Sequence, residues 1–150
     1  MHNRSNPASV EVREKFGNAY VGAEYENLIE DVKRELLECV AIAKNAGIAE
    51  SLIVLDPGIG FGKDLGHNLD LMRGLQTFAL LGCPVLVGPS RKAFIGKLLD
   101  LPVGERLEGT AAAVTACILR GANIVRVHDV KQMKRAAGVA DALKGNVTPL

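Results

Sequence analysis

This sequence predicts an α/β fold of successive parallel strand–helix units, and three observations carry the prediction. Three short apolar runs each end abruptly in polar chemistry. Residues 52–55 run into Asp56-Pro-Gly-Ile-Gly-Phe-Gly-Lys63, Val85-Leu86-Val87 into Gly88-Pro-Ser-Arg-Lys92, and Ile124-Val-Arg-Val127 into His128-Asp129. Each run feeds an amphipathic stretch, the pattern of a buried parallel strand followed by a helix. The strand ends at Asp56, Gly88 and His128 stand 32 and 40 residues apart, the spacing of βα units of about 30 residues or more. Residues just past such strands line the ligand face of βα architectures, so the chemistry is expected there.

The elements follow in order. The chain is polar and irregular to about Ala23, with Pro7, Gly17 and Gly22 as breakers. From Asn27 to Ala46, Leu28, Val32, Leu36, Val40 and Ala43 recur at three- and four-residue spacing, with acids in the first turn and Lys44 before a terminating Gly47. That is one helix with one buried stripe. A strand at 52–55, a glycine loop, a helix from about His67 to Leu81 stopped by Gly82, and a strand at 84–87 repeat the unit. A short helix at 91–99, the loop Leu101-Pro-Val-Gly104 and a longer helix at 105–120 lead through Gly121 to the strand at 124–127. A last helix spans about 130–143. Without internal repeat, low-complexity tract or linker, residues 1–150 are expected to form one domain.

Composition narrows the function classes. With 150 residues, 48% hydrophobic and 23% charged, the chain can bury a sizeable core, and scarce aromatics (4%) leave aliphatic residues to fill it. A net charge of +1 from 18 basic and 17 acidic residues gives no long-range field toward nucleic acid or an anionic membrane. No apolar run approaches the roughly 20 residues of a membrane span, and the polar start is no secretory signal, so a cytoplasmic setting is expected. Cys39, Cys83 and Cys117 form no Cys-x-x-Cys pair and have no nearby histidine, so they are expected to be reduced and packed.

The glycine loop does not match the familiar phosphate cradles. Gly58 and Gly60 begin a G-x-G-x-x-G pattern, but Lys63 stands where the third glycine belongs, and no acid follows at about 20 residues. Gly62-Lys63 resembles the end of a P-loop, but Pro57 replaces the leading glycine and Asp64 the Ser or Thr that would hold magnesium. What remains is a strand ending in Asp56, with glycines that allow close backbone approach by a flat ligand held by an acid.

In strand order, this combination resembles the dihydropteroate synthase family of pterin-binding barrels. Asp56-Pro-Gly-Ile-Gly-Phe-Gly-Lys63 looks like the family's sixth-strand motif, Gly88-Pro-Ser-Arg-Lys92 its seventh and Arg126-Val-His128-Asp-Val130 its eighth, while Glu108-Gly-Thr110 matches a family helix start. The resemblance covers residues 1–143 and sets Met1-His2-Asn3 beside the family's Met-His segment at the end of strand five. It implies the C-terminal half of a TIM barrel, because a complete barrel needs about 250 residues. It implies condensation of p-aminobenzoate with the pyrophosphate ester of 6-hydroxymethyl-7,8-dihydropterin, giving 7,8-dihydropteroate and pyrophosphate. It also implies magnesium, held by a ligand in the missing N-terminal half, and a homodimer in the full-length family. No metal ligand is expected in this chain.

The residues suit these demands. The resemblance makes Asp56, Phe61, Gly88, Ser90, Lys92, Arg126 and His128 substrate-binding, with Lys92, Arg126 and His128 catalytic. A carboxylate such as Asp56 accepts from both N–H groups of a 2-aminopyrimidinone edge. Lys92 can donate to the ring carbonyl or ring nitrogen. Arg126 and His128 can hold departing pyrophosphate, Ser90 can bind the p-aminobenzoate carboxylate, and Phe61 can pack on its ring. Each has a plainer reading. Asp56 can be a turn-capping residue before Pro-Gly, and Ser90 can cap the following helix. His128 can be an ordinary surface histidine, and Arg126 can stack on the pterin face. Lys63 is expected to cap or ion-pair locally, and Arg91 to be structural. His67 at a helix start and His2 at a frayed terminus default to structure. The competing identities are a corrinoid-type pterin-binding methyltransferase domain, which the Ser90-Arg91-Lys92 run disfavours, and a non-catalytic fragment or pseudoenzyme keeping a ligand groove.

Overall fold

The computed structural model describes residues 1–4, 10–13, 17–20 and 23–145. The expected breakers Pro7 and Gly22 lie outside the described residues. Two short antiparallel strands, β1 (Val10–Arg13) and β2 (Gly17–Tyr20), pair with Val10 opposite Tyr20 and Arg13 opposite Gly17. This corrects the irregular reading of the first 23 residues; the alternation Val-Glu-Val-Arg is a period-two signal.

Helix α1 (Leu28–Asn45) starts where Asn27 takes extended backbone and its side-chain oxygen accepts from the Glu30 N–H at 3.2 Å. Its stripe buries Val32 and Leu36. The expected strand at 52–55 is corrected to a single parallel bridge between Leu55 and Val85. Residues Glu50–Leu52 wind into a 3₁₀ turn instead, closed by the Leu52 and Ile53 N–H groups donating to the Ala49 and Glu50 carbonyls. That turn leaves Leu52 exposed.

Strand β3 (Leu86–Val87) pairs in parallel with β4 (Ile124–Val125), Leu86 opposite Ile124 and Val87 opposite Val125. Both are shorter than the runs at 84–87 and 124–127 suggested. The ladder extends through Leu86 N–H to Leu55 C=O at 2.7 Å and Arg126 N–H to Val87 C=O at 2.9 Å. On its other side, His2 N–H donates to the Asp56 carbonyl at 2.8 Å. The order is therefore the residue-2 segment, Leu55, β3 and β4. Asp56, Gly88 and Arg126 each follow the last paired residue, so all three lie at the same end of the ladder.

The helix expected at 67–81 is divided into α2 (Leu65–Arg73) and α3 (Leu75–Ala79). Gly74 marks the break: a Cβ there would stand 2.9 Å from Ile29 Cδ1, so α1 packs tightly against the junction. Helix α4 spans Ala93–Leu99 with no side-chain cap, which corrects the reading of Ser90 as its cap. Helices α5 (Leu107–Leu119) and α6 (Val130–Leu143) complete the order. One core cluster joins Val32, Leu36, Leu71, Leu75 and Phe78 to Val85, Val87, Phe94 and Ile95; a second joins Val114 and Ile118 of α5 to Met133 and Ala140 of α6. Burying each large aliphatic or aromatic side chain contributes about 1.5–3 kcal/mol, so aliphatic packing supplies what scarce aromatics cannot. Cys83 and Cys117 are buried in this packing, while Cys39 is exposed on α1.

Candidate functional site

The loop after Leu55 is shaped by its own polar groups and by two close approaches. Asp56 Oδ1 accepts from the Gly58 N–H at 2.8 Å, so the turn-capping reading is realised with one of the two carboxylate oxygens. At Gly58 (φ 75°) a Cβ would stand 1.9 Å from the His2 carbonyl oxygen; at Gly60 (φ 82°) it would stand 2.6 Å from Lys92 Cδ. Only glycine combines this left-handed backbone with such proximity. Buried Asn68 of α2 staples the loop: its Oδ1 accepts from Gly60 N–H at 2.6 Å, and its Nδ2 donates to the Lys63 and Asp64 carbonyls. Asp64 caps α2 by accepting from His67 N–H.

The Lys92 stem lies across this loop. Its Nζ donates to the Ile59 carbonyl and sits 4.2 Å from the centroid of the Phe61 ring, a cation–π contact. Burial lowers the Lys92 pKa to about 8, with Asp56 opposing the fall and Arg126 adding to it. Asp56, Phe61, Lys92 and Arg126 therefore share one electrostatic neighbourhood.

Behind the loop stands a second set of charges. Lys63 Nζ donates to the Phe61 carbonyl at 2.9 Å and meets His2 Nδ1 at 3.0 Å, while His2 Nε2 meets Glu35 Oε2 at 2.9 Å. An ammonium can only donate, so the hydrogen bonding assigns the ring proton of neutral His2 to Nε2. Arg4 binds the same Glu35 carboxylate and stacks over Tyr25, whose hydroxyl donates to the Gly62 carbonyl. Burial, then Lys63, lowers the His2 pKa to about 4. Burial lowers Lys63 to about 8 against the pull of Asp56 and pushes Tyr25 up to about 12; Arg4 holds Glu35 below the usual carboxylate range. His2 is thus a buried structural residue and not a frayed one, and Lys63 caps a carbonyl.

At the other edge, Ser90 Oγ and His128 Nδ1 are 2.9 Å apart, and the His128 N–H donates to the same oxygen at 3.2 Å. The Ser90 hydroxyl thus holds both the backbone N–H and the ring of His128, which fixes the orientation of the imidazole. Gly88 lies against the Arg126 side chain, where a Cβ would stand 3.3 Å from Nε. Arg126 and His128 are exposed and Ser90 is buried. The strand ends thus bring together all seven residues singled out from the sequence: Asp56, Phe61 and Lys92 on one side, Gly88, Ser90, Arg126 and His128 on the other. Among the described residues, no three His, Cys, Asp or Glu side chains cluster as a metal site.

The family model for pterin binding enzymes matches residues 1–128. The chain belongs to the pterin-binding enzyme family. Its relatives include a dihydropteroate synthase of Bacillus subtilis, 52% identical over 125 residues, covering 82% of this chain and 44% of the relative. Another, from Clostridium beijerinckii, is 45% identical over 144 residues, 95% of this chain and 48% of the relative. Among solved structures, the dihydropteroate synthase of Stenotrophomonas maltophilia with active site-bound imidazole superposes with a TM-score of 0.84 at 32% identity, covering 99% of this chain and 53% of that one. That of Coxiella burnetii in complex with pteroic acid gives 0.79 at 36% identity, over 83% and 48%. The chain thus spans about half the length of the curated relatives it matches, and its parallel βα units fold like about half of their barrels.

Sequence reading missed Glu35, Tyr25 and Asn68. Asn68 follows the loop within one helical turn and offered a signal, since Asn early in a helix often serves adjoining backbone. The others are joined to the site only by tertiary packing.

Proposed function

We propose that this chain carries the pterin- and anion-binding part of a dihydropteroate synthase, within one pterin-binding domain over residues 1–150. The p-aminobenzoate amine attacks the methylene carbon of 6-hydroxymethyl-7,8-dihydropterin pyrophosphate; the C–N bond forms, the C–O bond breaks, pyrophosphate leaves, and the amine loses a proton. The observation that carries the reading is the arrival of Asp56, Lys92, Arg126 and the Ser90–His128 pair at one end of the parallel ladder. Asp56 keeps Oδ2 for the 2-amino and ring N–H edge of the pterin, while Oδ1 holds the turn. Lys92, charged below pH about 8, donates to the ring and packs its stem with Phe61 around the aromatic amine. Arg126 and His128 receive the charge that develops on pyrophosphate, and Ser90 orients His128. Gly88 lets Arg126 lie close to the backbone.

The reading places the protein in the cytoplasm as part of a dimeric synthase whose magnesium ligand lies outside these residues. Its support is the relatives' identity, three cysteines outside any disulfide, and the fact that no helix among the described residues is long and apolar enough to cross a membrane.

The test has two parts. The isolated chain is expected to bind pyrophosphate in calorimetry, and the double substitution Arg126→Ala, His128→Ala to remove that binding. Synthesis of dihydropteroate is expected only when a polypeptide spanning the other half of the relatives' length is added, because each lost charge-stabilising group costs about a hundredfold or more. Robust synthesis by the 150-residue chain alone, abolished by Lys92→Ala, would show that one chain length assembles a full site. Unchanged pyrophosphate affinity in the double variant sinks the anion-site assignment.

A further inference from the structure

Between Ser90 and Lys92, Arg91 occupies the left-handed region at φ 56°, a conformation that L side chains adopt at a steric cost. Here the residues on both sides of Arg91 serve the same site: Ser90 reaches His128, and Lys92 reaches the Ile59 carbonyl and the Phe61 ring.

Three contacts hold the turned residue. Its N–H donates to Thr110 Oγ1 at 3.0 Å, and its carbonyl accepts from Arg106 Nη1 at 2.9 Å. Its guanidinium grips Asp129 in a two-pronged pair, Nε to Oδ2 at 2.9 Å and Nη2 to Oδ1 at 2.5 Å. Asp129 directly follows His128, so this pair ties the loop after β3 to the loop after β4. Its carboxylate makes no capping bond to α6 and is held below the usual carboxylate range by Arg91.

The support is itself built into the packing. Thr110 is fully buried, and Arg106 is 1% exposed, with Nε and Nη2 donating to the Leu101 carbonyl. Gly96 makes the room: a Cβ there would stand 2.2 Å from Arg106 Nη2.

We propose that Arg91, Arg106, Thr110 and Asp129 form a positioning clamp that sets the affinity of the Ser90–His128–Arg126 site for a pyrophosphate group. None of the four touches the ligand. The clamp rests on the anion-site reading above and deepens it: Thr110 and Asp129 act through Arg91, which fixes Ser90 against His128 and turns Lys92 to the loop. The register of α5 against the loop after β3 then tunes ligand binding from behind.

The experiment measures inorganic pyrophosphate affinity by calorimetry on the 150-residue chain, with melting temperature and the ¹⁵N shift of His128 Nδ1 recorded for each variant. Thr110→Val leaves the Arg91 N–H unpaired and is expected to weaken binding about tenfold and move the His128 shift. Thr110→Ser restores the hydroxyl and is expected to stay within about twofold. Asp129→Asn, at a partly exposed position, is expected to weaken binding about fivefold. Phe78→Leu, a core change in α3 at the opposite end of the ladder, is expected to lower the melting temperature and leave affinity unchanged. Wild-type affinity in both Thr110→Val and Asp129→Asn, with binding lost in Arg126→Ala, His128→Ala, overturns the clamp and leaves the anion site standing. Wild-type affinity in that double variant overturns both.

Discussion

The two edges of the site are held by different chemistry. The loop at 56–63 is backed by a chain of titratable groups, Glu35, His2 and Lys63, that ends on the Phe61 carbonyl. The edge at 88–92 and 126–129 is backed by guanidinium groups, Arg91 on Asp129 and Arg106 on two carbonyls, which stay protonated throughout the ordinary pH range. One support therefore responds to acidity while the other does not. Under the proposed function, the pH-sensitive wall would face the flat neutral ring and the fixed wall the polyanion.

Removing the fixed wall should have the largest effect. Arg106→Met takes a buried cation from carbonyls of Leu101 and Arg91 and leaves them unsatisfied, at an expected cost of about 3 kcal/mol in urea unfolding. A cost under about 1 kcal/mol would mean the carbonyls find other partners, and the contrast between the edges would collapse.

Next is Gly60→Ala on the titratable side. The φ of 82° and the Lys92 Cδ at 2.6 Å from the added carbon both oppose it, so the loop or Lys92 must move. A loss of about 1–3 kcal/mol in stability is expected, with weaker pterin binding followed by ligand fluorescence. Pyrophosphate binding at the far edge is expected to change little, and an equal loss of both ligands would show that the edges are not independent.

The smallest effect is the most diagnostic. His2 has its pKa lowered to about 4 from 6.5, so the unfolded chain takes up a proton first as pH falls. Stability from this group is complete above pH about 6.5 and is lost as pH falls toward 4, about 1–2 kcal/mol by pH 5. His2→Gln should flatten that acid limb. Lys63 and Lys92, lowered from 10.5 to about 8, act at the other end, where stability rises as pH climbs from 8 toward 10.5. An acid limb that persists unchanged in His2→Gln would place the sensitivity elsewhere.

Much of this was readable from residue order, and what was not had physical reasons. The loop Asp56-Pro-Gly-Ile-Gly-Phe-Gly-Lys63, the last helix at Val130–Leu143 and the clustering of Ser90, Lys92, Arg126 and His128 follow from apolar runs punctuated by glycine, a local signal. The strand at 52–55 failed because apolar content does not distinguish a strand from a 3₁₀ turn, and only Leu55 has a neighbour to pair with. The helix at 67–81 is interrupted at Gly74, a poor helix residue that the apolar period alone passes over, where Ile29, some 45 residues earlier, packs closely. Arg106 could not have been found: an arginine beside Glu105 reads as a surface residue until the glycine at 96 opens the space that buries it. The roles of the seven site residues rest on chemistry that the calorimetric variants decide.

The distribution of the three thiols gives the molecule its own clock. Cys39 stands exposed on α1 and should react with a small alkylating reagent as fast as a free thiol, whereas Cys83 and Cys117, 6% and 0% exposed, can react only when the packing around them opens. Burial also raises the Cys117 pKa to about 12, which silences it in the closed state. Alkylation followed by mass should therefore proceed in one immediate step and two delayed ones, and the ratio of delayed to immediate rates reads the opening equilibrium of the β3–α5 packing directly, without denaturant.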